Sequence, residues 1–286
     1  LMSVTAQRPR FFGMVKGETL KVSRQLSFWL MLAGSFVLLA IITLGITSAS
    51  NLQDQLKTDP TGWAYGARDI FGTIFQIGSG IFLLIIGARL FAMEYSSGTI
   101  RIIYARGASR LGLLLAKMLT LAIIGIVLLA GYAVVAGGVL ALLVNAWTGS
   151  LAPLQHLPNQ FWQDLGMWVV VQGMSMGIAI LMAAAAAGIG RSLAFFPVDN
   201  FSVILEALGA RITKQDHPWL NISQYQLGAN LNIVLNLIEP GHHSRAAFAA
   251  PLLPVDGTHA LVVIGAFALA FAVIAVGRAV RPDVLE

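Results

Sequence analysis

EYSSGTIRIIYARGASR, residues Glu94 to Arg110, is a charged, glycine-punctuated segment lodged between two long apolar runs. One run ends at Glu94, and Lys117 opens the next. Within the segment Gly98 and Thr99 begin a short helix, and Ile100, Ile103 and Tyr104 fall at i, i+3 and i+4, so they share one face. Gly107 stops that helix before Ser109 and Arg110. A loop whose only task is charge has no use for an amphipathic helix, and an apolar face on a loop asks for a partner.

The runs on either side set the class. The chain has 286 residues, 57% hydrophobic and 11% charged, with mean hydropathy +0.78. That is more apolar surface than one soluble core hides, and it predicts an all-α polytopic membrane protein. A bilayer core takes roughly 20 apolar residues per helix. That length recurs at Phe28 to Thr47, Ile70 to Met93, Met118 to Val144, Gly166 to Gly190 and His259 to Gly277. A sixth stretch, Ser192 to Ala210, holds Pro197, Asp199, Asn200 and Glu206. It is read as a span whose acids face inward. Without an internal repeat or a low-complexity linker, residues 1–286 form one transmembrane domain of six spans.

Charge orients the chain. Of the 18 Lys and Arg, 13 fall on the side that six spans give to both termini: five before Phe28, five from Arg89 to Lys117, and Arg191, Arg278 and Arg281. The positive-inside rule then predicts cytoplasmic termini. The net charge of +5 and pI near 9.8 therefore hold topology and imply no nucleic acid. With no cysteine, disulfides and thiol chemistry are excluded. No cleaved signal peptide is expected, because a full-length span follows the basic N-terminal region. In that region, residues 8–27, Phe11, Phe12, Val15, Val22 and Leu26 take one helical face and Arg10, Lys21 and Arg24 the other, predicting an interfacial elbow helix. Asn51 to Asp69 and Ala146 to Leu165 read as short polar links. The external segment 211–258 is long for a loop, and Ser223 to Ile238 reads as one or two short interfacial helices ending before Pro240 and Gly241.

Two polar stripes interrupt the spans. Asp69, Thr73, Gln76 and Gly80 share a face of the second, and Asp199, Ser202 and Glu206 share a face of the fifth. Small and hydroxyl residues there serve helix packing, whereas intramembrane acids default to function.

The opening segment together with Lys117 resembles the Glu, Gly-Thr, Ser-Arg, Lys signature in the first cytoplasmic loop of ATP-binding cassette (ABC) type-2 exporter permeases. Gly107 stands where the family often has Pro. The resemblance extends to the elbow, the six spans, the long segment before the sixth and the basic tail RAVRPDVLE. It implies that Glu94, Gly98, Thr99, Ile100, Arg101, Ile103, Tyr104, Ser109 and Arg110 form a coupling helix seated on a separate ATPase subunit. Placed where the second span meets the cytoplasm, Glu94 has Arg89, Arg101 and Arg110 as candidate partners. The resemblance also implies a second permease copy, with spans two and five lining the route between copies. Asp69, Thr73, Gln76, Asp199, Ser202 and Glu206 become translocation-pathway candidates. The implied function is export of an amphipathic or hydrophobic cargo (drug, peptide or lipid-like molecule) across a bacterial-type inner membrane.

No GxxxxGK[ST] phosphate loop occurs in the sequence, so ATP and Mg are expected on the partner, and no cofactor or metal is expected on this chain. His242 and His243 are adjacent, point apart and make a poor metal pair. The NIS triplet at Asn221 matches a glycosylation acceptor, a pattern common by chance. One competing reading is a proton-coupled carrier using Asp199 and Glu206, which predicts inverted repeats that the sequence lacks. Another is an intramembrane serine protease, because GMSMG at Gly173 to Gly177, with His259 at the head of the last span, resembles rhomboid proteases. Against it, Ser175 lies inside an uninterrupted apolar run.

Overall fold

The computed structural model describes residues 10–47, 50–185, 195–215, 217–238 and 251–280, as α-helices joined by short turns. Among the described residues five helices are long and apolar enough to cross a membrane: α2 (Leu26–Thr47), α4 (Pro60–Ser96), α6 (Arg110–Thr148), α8 (Asn159–Ala185) and α12 (Gly257–Val280). The shorter helices are α1 (Phe11–Ser23), α3 (Ser50–Thr58), α5 (Thr99–Ala105), α7 (Ala152–Gln155), α9 (Phe195–Thr213), α10 (Trp219–Ser223) and α11 (Leu227–Ile238). The stretch expected as a sixth span forms α9, which carries Asp199, Glu206 and Arg211 and is not among the five. Its first residues, 192–194, lie outside the described residues, as do Pro240 and Gly241.

Side-chain contacts sort the helix ends. Lys21 of α1, Glu94 near the end of α4 and Lys117 near the start of α6 meet in one ion cluster. Arg110 donates to the Val280 carbonyl at the end of α12, and Arg278 donates to the Ala185 carbonyl at the end of α8. These ends form one basal layer. At the opposite end α3, α7 and the starts of α4 and α8 enclose an aromatic cluster of Leu56, Trp63, Tyr65, Val144, Leu157 and Phe161. Tyr65 stacks edge-on against Phe161 at 5.2 Å and donates to the Asp164 carboxylate.

That cluster corrects the two polar links. α4 begins at Pro60, where the fixed proline φ suits a first helical turn, and Asp59 Oδ1 accepts from Gly62 N at 2.9 Å. α6 runs on to Thr148 before Gly149, at φ +74°, ends it. With Trp63, Trp147 and Phe161 to bury, the segments beyond the membrane length stay helical and pack on one another. The elbow is also corrected in its face. α1 buries Val15, Glu18 and Val22 against the chain, whereas Phe12 and Leu26 are 78% and 73% exposed. Spacing of 3, 4 and 7 selects the buried trio, and the exposed pair faces outward as an interfacial surface would.

α4 and α8 run side by side in the same direction. Tyr65 meets Asp164. A Cβ on Gly72 would fall 2.6 Å from Trp168 Nε1, and one on Gly87 would fall 2.5 Å from Ala183 Cβ. Glycine thus lets the two backbones approach, as in membrane helix pairs generally. α11 packs on α8 and α12, where Leu227, Leu231 and Val234 join Trp168, Val171, Ile178, Ala260 and Ile264 in a second apolar core.

Candidate functional site

The basal layer carries the segment that opened the sequence reading. Gly98 (φ +67°) and Gly107 (φ +85°) adopt the left-handed conformation that glycine tolerates best, and α5 hangs between them as a single short helix. Ser109 caps α6, its hydroxyl accepting from Gly112 N at 3.0 Å. Arg110 lies over the Tyr104 ring at 5.4 Å. It reaches the Val280 carbonyl at 3.2 Å, tying the loop to the end of α12.

The apolar face of α5 differs from the expected one. Ile100 is buried within the chain, Ile103 and Tyr104 are half-buried, and Ile102 is 55% exposed. α5 packs against α4, and the face turned inward claims Ile100. Arg101, Ile102, Ala105 and Arg106 form the outward surface. Sequence spacing missed Ile102 because a seven-residue helix has too few turns to show which apolar residues face the chain.

Glu94 sits at the joint above α5 and is buried. Its carboxylate lies 2.6 Å from Lys21 Nζ and 2.9 Å from Lys117 Nζ. Lys21 also pairs with Glu18 at 2.8 Å, and Lys117 donates to the Leu90 carbonyl. Two acids and two amines therefore balance one another across α1, α4 and α6. Burial opposes the charge on Lys21, but hydrogen bonds to Glu18 and Glu94 outweigh it, so the amine's pKa stands above its ordinary value. The expected partners of Glu94 were arginines. Arg89 instead donates to Ser27 Oγ at 2.7 Å, and Arg110 is engaged with Tyr104 and Val280. Arg89 precedes Glu94 by five residues, so the two leave α4 in different directions. Lys117 was already part of the sequence signature. Lys21 carried no local signal, because its pairing spans 73 residues of chain.

The second group of expected residues turns toward neighbouring helices of the same chain. Asp199 accepts from the backbone N–H of Leu227 at 3.3 Å and of Gly228, at the start of α11. Gln226 donates to Ser202 Oγ at 2.7 Å and to Glu206. Glu206 and Val203 are buried, while Leu205 is 65% exposed. On α4, Asp69 pairs with Arg68 at 2.9 Å, Thr73 donates to the Asp69 carbonyl at 3.2 Å, and Gln76 and Gly80 are buried. Ser175 is buried within unbroken α8 with no hydrogen-bond partner among the described residues, and His259 is engaged with the Gln224 carbonyl at 2.9 Å. That arrangement gives Ser175 no base among the described residues, against the protease reading. His242 and His243 lie outside the described residues.

A bundle of apolar helices with an interfacial elbow and a short basic helix hung below it defines a polytopic membrane permease. Residues 14–199 match the profile of the ABC-2 family transporter proteins, and the chain belongs to that family. The matched region takes in the first four spanning helices and α5. Comparison with curated proteins gives no match.

Proposed function

We propose that the chain is the transmembrane subunit of an ABC exporter, working as two permease copies driven by a separate ATPase, with both termini cytoplasmic. The observation that carries the reading is the Lys21, Glu94, Lys117 joint: a push on α5 is delivered to α1, α4 and α6 together. Ile102 supplies the exposed apolar anchor and Arg101 and Arg106 the charge for an ATPase groove, with Ile103 and Tyr104 at its edge. ATP closing the motor would then draw two α5 helices together and switch the access of a central route. Among the pathway candidates Thr73, Asp199 and Ser202 keep accessible surface, whereas Asp69, Gln76 and Glu206 support the walls from behind. The cargo is amphipathic or hydrophobic.

The test is co-purification with a candidate ABC ATPase subunit, followed by ATPase assays across candidate cargoes. Ile102→Asp with Ile103→Asp places charge in an apolar contact, and an unpaired charge there is strongly disfavoured. The complex should dissociate or lose cargo-stimulated hydrolysis while the permease itself stays folded. Unchanged co-purification and unchanged stimulation would remove α5 from the interface.

A further inference from the structure

The α4–α8 seam holds an unusual set of side-chain atoms. Gln76 Nε2, Trp168 Nε1, Gln172 Oε1 and Ser175 Oγ are buried and have no hydrogen-bond partner among the described residues. Their residues are 2%, 5%, 2% and 2% exposed. The contacts of Gly72 with Trp168 and Gln172, and of Gly87 with Ala183, fix the register of the seam. That register brings Gln76 level with Gln172, with Trp168 about one turn back along α8 and Ser175 about one turn further on. The large majority of buried side-chain polar groups in folded proteins are satisfied, by protein or by ordered water.

We propose that this seam is an internal water site, one or more ordered waters bound among Gln76, Trp168, Gln172 and Ser175. The chemistry fits that ligand. Two N–H donors, one amide carbonyl acceptor and one hydroxyl that does both are what a molecule with two donors and two acceptors joins. None of the four groups is charged, so nothing there calls for an ion, and a hydrocarbon chain would satisfy none of them. Water-mediated bonds re-form after one helix shifts along another, which direct side-chain pairs do not allow. α4 carries α5 at its end, so a hydrated seam lets α4 move against α8 when α5 is displaced. That last consequence rests on the reading of α5 as a coupling helix, whereas the water site does not.

Radiolytic hydroxyl labelling of the full-length protein in nanodiscs tests the site directly, because radicals generated from a bound water oxidise the side chain beside it. Trp168 should be oxidised despite its burial. Trp63, 1% exposed within the aromatic cluster, should stay unmodified, and Trp162, 53% exposed, confirms the dose. In Gln76→Leu with Gln172→Leu, Trp168 labelling should fall to the level of Trp63 while Trp162 is unchanged. If wild-type Trp168 is as silent as Trp63 when Trp162 reacts, the water site does not exist. That result needs no variant and is independent of any ATPase. Undiminished labelling in a folded double variant would equally overturn the assignment of these residues.

Discussion

Glu94 shows how a signature residue acts through structure. Held between Lys21 and Lys117, it balances the charges of the cluster that also includes Glu18. In Glu94→Gln, Lys117 would remain buried with the Leu90 carbonyl and no counter-charge. Breaking a buried pair by removing one partner costs about 3 kcal/mol. Thermal unfolding in detergent should register this as a midpoint lower by roughly 10 °C, and ATPase stimulation by cargo should fall with it. Lys21 adds a pH dependence. Its folded pKa is raised, so its contribution is complete below the unfolded value of about 10.4 and is lost as pH rises through the higher folded value. Between pH 6 and pH 9 it adds no slope to stability. Melting measured across the alkaline range should show a steeper fall in the wild type than in Lys21→Met, and matching curves would remove Lys21 from the cluster. The sequence made Glu94 and Lys117 legible because both belong to one local pattern. Lys21 was visible only as a charge on an amphipathic helix, since nothing local encodes which span that helix crosses.

At the scale of elements, length and hydropathy made the five spans legible, and α11 fills the stretch from Ser223 to Ile238 where one or two short helices were expected. Hydropathy did not reveal where helices extend past the bilayer. α4 has 37 residues, about 55 Å at 1.5 Å per residue, against a hydrocarbon core of about 30 Å. Its overhang is stabilised by aromatic packing rather than by lipid. The acids of α9 were legible as exceptional, but their targets were not. Asp199 meets the first amides of α11, where a carboxylate satisfies donors that the helix itself leaves open and opposes its positive end. Asp199→Ala should cost about 1 kcal/mol and speed amide exchange at Leu227 and Gly228. Asp199→Asn, which retains an acceptor, should keep most of that protection. Equal exchange in Asp199→Ala and wild type would show that α11 does not depend on α9 for its cap.

Across the whole molecule α4 acts as a beam between two layers. Its upper end is fixed in the aromatic cluster and by the Tyr65–Asp164 bond, its middle lies on α8, and its lower end bears Glu94 and α5. The closeness of α4 to α8 depends on Gly87, while Gly72 leaves room for the Trp168 ring, so adding one methyl group at Gly87 tests the beam. In an ordinary helix interior Gly→Ala stabilises by roughly 0.5–1 kcal/mol, because alanine has less freedom to lose. At Gly66, where a Cβ would meet nothing within 4 Å, alanine should follow that rule and leave the melting midpoint level or higher. At Gly87 the same atom would sit 2.5 Å from Ala183 Cβ, a rigid neighbour with no rotamer to change. Relief there requires the helices to separate, and overpacking of this kind costs about 1–3 kcal/mol. Gly87→Ala should therefore melt lower than wild type and Gly66→Ala should not, with both chains expressed and reconstituted alike. Separation at Gly87 lies two turns above Glu94, so under the proposed coupling through α5 it should also lower cargo-stimulated ATPase activity while basal activity of the motor persists. If both alanine variants melt together, α4 and α8 are not in close contact at Gly87, and the register that aligns Gln76 with Gln172 fails with it.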